Sequence, residues 1–563
     1  MADEALRQLA EEYWDVALEA SPTGATLLGD HRFDDRLEDL SIEGQAQVRD
    51  RLSSLRERLA SVDRRSLEGD DRVTHGQLVA ELDDAVSAID HRLVELESDQ
   101  MTGFHVGLLQ TIPVMSAPDP ESATMLLERF RQVPRALEQV VQRFLAGADA
   151  GRTPAAICVS RSLNMIEGYL ASSLADDVFV GLTGPAGWDG EAAWRSSLED
   201  LARDVVRPAY RRLADRLSEE LLPRARDDDR CGLSWLAEGP ELYAFLVAHH
   251  TTVDRDPHEV HEVGMEEVSR KLPAEYADVG GRLFGISDAD EVLERLRHDP
   301  ALRYATGDEI MLDARRAFEA ASAAMPEWFG RLPEAPCAIE PVPDFLAPDS
   351  PSAYYFPPAA DGSRGGTYYV NTDRPEQKAR YETASIAFHE AIPGHHLQLA
   401  IATELTELPR FRRFSLGNTA YVEGWGLYAE RLAEEMGLYR NDLERMGMLA
   451  ADSMRACRLV VDTGLHALGW SRARAIDFMA AHMPVSVEEV TVEVDRYIGM
   501  PAQALAYKLG QREIFRLRES ARSRLDGRFD IRAFHDAVLG SGAVRLPVLG
   551  EVVEGWVGSR TAA

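Results

Sequence analysis

The feature that most constrains the fold is a spacing of apolar residues at three and four positions, which recurs through most of the 563 residues. The longest runs with this spacing are residues 4–20, 43–61, 75–97, 122–148 and 191–221. Such spacing places the apolar side chains on one face of an α-helix, so each run predicts an amphipathic helix. Strand signals are few and no repeat of fixed period is present. The sequence therefore predicts a mainly α fold.

The length of the chain exceeds that of a usual single domain, so we expect one large helical assembly or two packed lobes. The stretch 222–232 is rich in Asp and Arg and contains Pro and Gly, which makes it the candidate boundary. The prediction is an N-terminal helical lobe at residues 1–232 and a catalytic helical lobe at residues 233–563.

The charge balance excludes some classes of partner. Lys and Arg number 61 against 95 Asp and Glu, a formal net charge of -34, which repels nucleic acid backbones and anionic membrane surfaces. The 4 cysteines lack paired spacing, and the opening residues show no basic segment followed by an apolar one. We therefore expect a cytoplasmic protein that has no nucleic acid or membrane partner.

The most informative motif is the segment 389–398, which reads His-Glu-Ala-Ile-Pro-Gly-His-His-Leu-Gln. In the motif H-E-x-x-H, two histidines on one helix face bind zinc and the glutamate acts as general base. Here Pro393 stands four residues after His389. Proline lacks the backbone donor, and its ring meets the carbonyl four residues before it, so the helix must kink. His389 and Glu390 thus fit a zinc motif whose second ligand follows a kink.

Two neighbouring histidines compete for that second position. On an undistorted helix His396 would return to the face of His389, whereas His395 would lie about 120° away. A two-residue bulge at Pro393 and Gly394 makes His395 the better candidate. His396 remains the alternative.

A zinc hydrolase needs three protein ligands, and Glu423 is the strongest candidate for the third. It lies in a predicted helix where Gly424 and Gly426 would allow close approach to the motif helix. Aromatic neighbours indicate burial, and a buried carboxylate needs a cation or metal partner. Glu430, seven residues later, shares the face of Glu423 and can accept a hydrogen bond from a ligand histidine. We expect one zinc ion.

The most strand-like segment, residues 367–371, precedes the motif helix. A strand beside a zinc helix can bind an extended peptide at the edge of its sheet, which makes Tyr368 and Tyr369 candidate substrate contacts. The alternative is that these tyrosines pack on the helix.

A late tract, residues 495–508, offers further polar side chains. Tyr497 and Tyr507 keep their protons at neutral pH and can donate to an oxyanion. Arg496 and Lys508 can bind a peptide carboxylate, and Gln503 adds a polar substrate contact. The alternative for the two cations is an ordinary surface ion pair.

Four phrases resemble the bacterial family of unknown function DUF885: FHEAIPGHHLQ at 388–398, VEGWGLYAE at 422–430, RLVVDTGLH at 458–466 and QALAYKLGQ at 503–511. That family is grouped with the gluzincin metallopeptidases, and the phrases are also similar to the helical Taq-type carboxypeptidases. The resemblance implies a large helical gluzincin-like architecture with a small β-sheet beside the active-site helix and a central cleft. It also implies His395 and Glu423 as ligands. The inserted turn at Pro393 departs from the pattern.

Together these features predict a zinc metallopeptidase of carboxypeptidase or oligopeptidase type that hydrolyses short peptides. Zinc would lower the pKa of water and polarise the carbonyl, while Glu390 takes the water proton and passes it to the leaving amine. One alternative is a zinc amidohydrolase acting on a small non-peptide amide. Another is a non-catalytic metal-stabilised binding protein, which the presence of Glu390 disfavours.

Overall fold

The computed structural model describes residues 2–343, 347, 350–359, 362, 364–415 and 417–562. Helices dominate it, and a small three-stranded sheet accompanies them, so the predicted mainly α fold is confirmed. The helices of the first part of the chain are α1 (Ala2–Ala20), α2 (Pro22–Leu27), α3 (Ile42–Leu59), α4 (Gly69–Asp90), α5 (Phe104–Thr111), α6 (Pro120–Arg131), α7 (Val133–Asp149), α8 (Ala156–Ala171), α9 (Glu191–Leu201) and α10 (Arg207–Arg216).

The five predicted helical runs are all helical, with differences at their ends and breaks. The run 122–148 divides into α6 and α7 at Gln132, because Pro134 stands in the first turn of α7 and has no N–H to continue the ladder of α6. The run 75–97 leaves the α-helix at Asp90. The run 191–221 continues from α9 through α10 with π-helical turns at Ala202–Val206 and Leu217–Leu221.

The middle of the chain carries further helices and the sheet. These elements are α11 (Gly239–Thr251), α12 (Pro257–Glu266), α13 (Leu272–Phe284), α14 (Ala289–His298), α15 (Gly307–Trp328), β1 (Cys337–Pro341), β2 (Ala353–Phe356) and β3 (Gly366–Val370). The strand order is β1-β3-β2, with β3 parallel to β1 and antiparallel to β2. The predicted strand at 367–371 is therefore β3. It lies in the centre of the sheet and both of its edges are paired.

The last part of the chain returns to helices. They are α16 (Glu382–Glu390), α17 (His395–Glu404), α18 (Arg410–Phe414), α19 (Thr419–Glu435), α20 (Asp442–His466), α21 (Arg472–His482), α22 (Val487–Gly499), α23 (Leu505–Leu525), α24 (Ile531–Leu539) and α25 (Leu546–Ala562). Among the described residues, no helix combines the length and apolar character needed to cross a membrane.

The largest apolar core joins α13 to α25 with the sheet and contains Phe388, Trp425 and Tyr428. A second core draws its residues from positions 37–222. A third packs α1, α3 and α4 around Phe411 of α18, where Tyr13 meets its ring edge-on at 5.6 Å between centroids. The first helices thus contact the C-terminal part directly. The proposed boundary at 222–232 stays a prediction.

Candidate metal centre

The motif segment forms two helices separated by a tight turn. α16 ends at Glu390 and α17 begins at His395, so the predicted break in the helix at Pro393 is present. A Cβ atom on Gly394 would lie 1.9 Å from the carbonyl oxygen of His389, so only a residue without a side chain fits this turn. The turn brings His395 back beside the end of α16.

Three side chains converge at this turn. Nε2 of His389 lies 3.4 Å from Oε2 of Glu423, and Nε2 of His395 lies 3.5 Å from the same oxygen. The ligand atoms of all three residues lie within 4.8 Å of one another, the one such group found in the part of the chain that the structure describes. Tetrahedral zinc with bonds of about 2.0–2.2 Å places neighbouring ligand atoms about 3.3–3.6 Å apart. The donor types and the two separations from Glu423 therefore fit zinc.

His396, the alternative ligand, lies outside this group. A hydrogen bond of 2.8 Å joins its Nδ1 to the hydroxyl of Tyr355 on β2. Burial lowers the pKa of His396 to about 4, so the ring is neutral at physiological pH. The structure brings His395, and not His396, next to His389 and Glu423.

Glu430 lies behind His389. Its Oε1 is 2.8 Å from Nδ1 of His389, and its Oε2 accepts a hydrogen bond of 2.7 Å from the hydroxyl of Ser385. A carboxylate that accepts from Nδ1–H fixes the tautomer of the ring and leaves Nε2 free for a metal. Glu430 therefore orients His389 toward Glu423 and His395.

The two glycines of α19 have different neighbours. A Cβ atom on Gly426 would lie 2.7 Å from Cε1 of His389, so this glycine allows α19 to approach the motif helix. Gly424, which we expected to serve the same approach, instead faces Gly510 of α23, where a Cβ atom would lie 2.5 Å from its Cα. Gly426 alone allows the contact with His389, and Gly424 allows α19 to pack on α23.

The charges of the site are strongly coupled. Burial alone would lower the pKa of His389, but the carboxylates of Glu423 and Glu430 raise it to about 9. Burial alone would raise the pKa of Glu423, but the two histidines hold it well below its ordinary value. A divalent cation that binds at Nε2 of His389 would replace a proton there. Burial raises the pKa of Glu390, a property that suits proton transfer.

Glu390, the two histidines and Glu423 line a cavity of about 570 Å³. Side chains of β2, α20, α22 and α23 complete its wall, including Tyr354, Tyr355, Arg455, Arg458, Glu493, Arg496, Gln503 and Tyr507. Arg496, Gln503 and Tyr507 were predicted from the sequence as site residues, whereas the two arginines of α20 and Glu493 were not. The available signal was two arginines at three-residue spacing in a long helix that otherwise reads as buried.

The two candidate tyrosines of the late tract are placed differently. Tyr507 lines the cavity and its ring lies 4.5 Å below the guanidinium carbon of Arg458. Tyr497 is fully buried, donates to Oε2 of Glu493 at 2.5 Å and accepts from Nε of Arg458 at 2.9 Å. Of these two tyrosines, Tyr507 is the one that lines the cavity.

The tyrosines of β3 do not reach the cavity. Tyr368 is 1% exposed, and Tyr369 stacks on Tyr354 of β2 with 5.0 Å between ring centroids. Because β1 and β2 occupy both edges of β3, a peptide cannot be added beside these residues. Tyr368 is thus buried and Tyr369 packs on the neighbouring strand rather than on the motif helix, while Tyr354 and Tyr355 of β2 line the cavity.

Lys508 follows Tyr507 on α23 but points away from the cavity that holds Glu390. It is buried, and its ammonium pairs with the carboxylate of Asp452. Arg431 binds the same carboxylate at 2.5 Å through Nη2 and 2.9 Å through Nε. Lys508 is thus a structural ion-pair residue rather than a contact for a peptide carboxylate.

We expect the substitution Asp452→Ala to lower the free energy of unfolding by about 3–5 kcal/mol, because it removes the carboxylate that pairs with the buried ammonium of Lys508, while Arg431 keeps its ion pair with Glu275. Urea unfolding followed by circular dichroism measures the change. Glu128→Ala, which removes an exposed ion pair with Arg131, is the control and should have little effect. Equal unfolding midpoints for the two variants would contradict a structural role for the buried pair.

Comparison with known proteins supports the fold and identifies the family. The crystal structure of a candidate lipoprotein from Colwellia psychrerythraea is similar with a TM-score of 0.91 and 25% identity, covering 99% of this chain and 100% of that one. A candidate lipoprotein of unknown function from Shewanella oneidensis shares the fold with a TM-score of 0.75 and 19% identity, over 98% and 99% of the chains.

No curated protein matches the chain. The model of one family, described as bacterial protein of unknown function, matches residues 22–553, which is nearly the whole length. The chain belongs to the bacterial family DUF885.

Proposed function

We propose that the protein is a zinc-dependent metallopeptidase that hydrolyses short peptides. The observation that carries the proposal is the convergence of ligand atoms from His389, His395 and Glu423 within 4.8 Å, beside Glu390 in the same cavity wall. Two imidazoles, a glutamate ligand and a nearby free carboxylate are the parts of a zinc hydrolase site. We also propose that the protein is related to the gluzincins and to the Taq-type carboxypeptidases, as the resemblance of its motifs implies.

The chain supplies defined groups for this chemistry. When bound, zinc provides a Lewis acid and lowers the pKa of water. Glu390 takes the proton of the attacking water and delivers it to the leaving amine, and its raised pKa suits both transfers. The phenol of Tyr507 can donate to the carbonyl oxygen as negative charge develops there. Glu430 keeps the His389 ring in place during these steps.

The dimensions of the cavity favour small substrates. A volume of about 570 Å³ is within the range that encloses a small molecule or a few residues of extended peptide. A folded protein segment would not enter it. The proposed substrates are therefore short peptides, and a small non-peptide amide is the second candidate because it would meet the same catalytic groups.

The hypothesis of a non-catalytic metal-binding protein is less well supported by the site. Glu390 contributes no ligand atom to the group of His389, His395 and Glu423, and its side chain lines the cavity beside them. A carboxylate that lines a cavity and whose pKa burial raises is typical of a residue that exchanges a proton during a reaction. The proposal therefore assigns Glu390 to catalysis.

The location of the protein stays a prediction. The acidic composition and scattered cysteines led us to expect the cytoplasm. Both structural relatives are named as candidate lipoproteins, a description that lends the cytoplasmic prediction no support.

Metal analysis combined with peptide digestion tests the proposal. We expect one zinc per chain after dialysis against zinc, and cleavage of a mixed pool of short peptides detected by mass spectrometry. A chelator should stop the cleavage and added zinc should restore it. A panel of small amides run in parallel separates the amidohydrolase alternative. Absence of bound zinc, or cleavage that a chelator leaves unchanged, would refute a zinc peptidase.

A further inference from the structure

One wall of the cavity carries an excess of positive charge. Arg455, Arg458 and Arg496 line it together with a single carboxylate, that of Glu493. Oε2 of Glu493 lies 2.9 Å from Nη2 of Arg458 and 3.4 Å from Nη1 of Arg496. Burial alone would raise the pKa of Glu493, but these arginines lower it to about 2, so one fixed negative charge serves two guanidinium groups.

The third arginine has no carboxylate of its own. Nη2 of Arg455 lies 3.8 Å from Oε1 of Glu430, which already accepts the hydrogen bond of His389. The three guanidinium groups of this wall thus share one close carboxylate, that of Glu493, because Arg455 has only the more distant contact with Glu430. Such a wall attracts an anion.

Unpaired donors in the same wall point to a ligand. Arg458 is only 5% exposed, and its Nη1 has no hydrogen-bond partner among the described residues. The buried Nε of Arg455 also lacks a partner within the described part of the chain. Buried guanidinium donors without acceptors raise the free energy of the folded protein. Both nitrogens belong to side chains that line the cavity, and a carboxylate is the ligand group that suits such a wall, because guanidinium groups bind carboxylates in a bidentate manner.

The spacing of Arg455 and Arg458 along α20 is comparable in size with one extended amino-acid residue. Arg455 lines the cavity together with Glu390, and its Nη2 lies 3.8 Å from Oε1 of Glu430. Arg458 follows three residues later, a rise of about 4.5 Å along the helix. One extended residue spans about 3.3–3.6 Å. A peptide whose last amide bond lies beside Glu390 would therefore place its terminal carboxylate near Arg458.

We infer that this wall binds the C-terminal carboxylate of the substrate and that the protein removes single residues from the C-terminus of short peptides. The inference rests on the proposed function for its cleavage step. In that step the water oxygen bonds to the acyl carbon, the C–N bond breaks, and the water proton passes through Glu390 to the nitrogen. The products are a shortened peptide and a free amino acid.

The same wall disfavours the opposite polarity of binding. A peptide amino terminus is a cation and would need an available carboxylate, but Glu493 is engaged by Arg458, Arg496 and the hydroxyl of Tyr497. An approaching ammonium group would also meet the three arginines. Aminopeptidase action at this site is therefore unfavourable.

Paired peptides that differ only at the C-terminus test the inference. We expect the free acid to be cleaved about 10- to 100-fold faster than the C-terminal amide, because a charged hydrogen bond is lost in the amide. The substitution Arg458→Gln should reduce this ratio toward one with zinc content retained, and Arg458→Lys should keep part of it. Arg270→Gln, at an exposed position, is the control and should keep the full ratio.

Two further measurements separate loss of carboxylate recognition from loss of folding or of cleavage. Arg458 also contacts Tyr497, so its variants are compared by thermal unfolding, and Arg496→Gln provides a second variant at a less buried position. Equilibrium binding of the free acid and the amide to zinc-loaded Glu390→Gln measures recognition without cleavage. A preference for the acid in binding, with no cleavage by the wild type, would refute the peptidase and keep the carboxylate site. Equal binding of the two peptides, or cleavage at internal bonds, would overturn the inference.

Discussion

The substitution Glu390→Gln is expected to lower kcat/KM for peptide cleavage by about 100- to 10,000-fold and to leave the zinc content unchanged. Glutamine has nearly the same shape as glutamate but cannot accept the proton of the attacking water. Glu390 is not part of the ligand group, so its loss should not release the metal. Steady-state kinetics on a short peptide, with metal analysis of the same preparation, measures both effects.

The dependence of kcat/KM on pH provides a second test of the role of Glu390. Because burial raises the pKa of Glu390 and only the ionised form accepts a proton, kcat/KM should fall as the pH drops through that raised pKa. Glu407→Gln, at an exposed position after α17, is the control and should behave as the wild type. Full cleavage by a zinc-loaded Glu390→Gln protein would remove Glu390 from the mechanism.

The substitutions His395→Ala and His396→Ala are expected to differ strongly in their effect on zinc affinity. Loss of His395 removes one of three ligands and should weaken zinc binding by more than about 100-fold, beyond the loss typical of removing an outer carboxylate. His396 bonds to Tyr355 and lies outside the ligand group, so its loss should leave zinc affinity close to that of the wild type. Competition with a chelating dye measures both affinities.

The substitution Glu430→Gln is expected to have an effect on zinc affinity between those of His395→Ala and His396→Ala. The amide can still contact His389 but no longer fixes its tautomer as a carboxylate does, so we expect a loss of zinc affinity of about 10- to 100-fold. Circular dichroism of each variant checks that the helices are retained. If His396→Ala loses zinc while His395→Ala keeps it, the ligand assignment is wrong.

The sequence predicted the elements better than their mutual placement. The helical periodicity and the break at Pro393 depend on interactions between residues close in sequence, so both can be predicted from the amino-acid sequence alone. The choice between His395 and His396 was not, because it depends on the backbone path through the turn, where the carbonyl of His389 fills the space beside Gly394. A difference of one residue on a helix turns a side chain by about 100°.

The late tract illustrates the same limit. Tyr507 and Lys508 are neighbours on α23, yet one faces the cavity and the other pairs with Asp452 of α20. Their types suited a substrate site equally, and only the orientation of the helix separates them. The central position of β3 was likewise hidden, because its parallel partner β1 lies in a segment that carried no clear strand signal.

The close contact at Gly426 affects how the same site can be recognised in other proteins. The His389 ring occupies the volume that any larger residue at position 426 would need for its first side-chain atom. The candidate metal centre thus depends on a position whose residue has no side chain to bind a metal or transfer a proton. A search of the family for the residues equivalent to His389, His395 and Glu423 alone would include proteins with a larger residue at position 426. In those proteins the side chain at that position would displace the imidazole ring. The missing methyl group is as diagnostic as the ligands themselves.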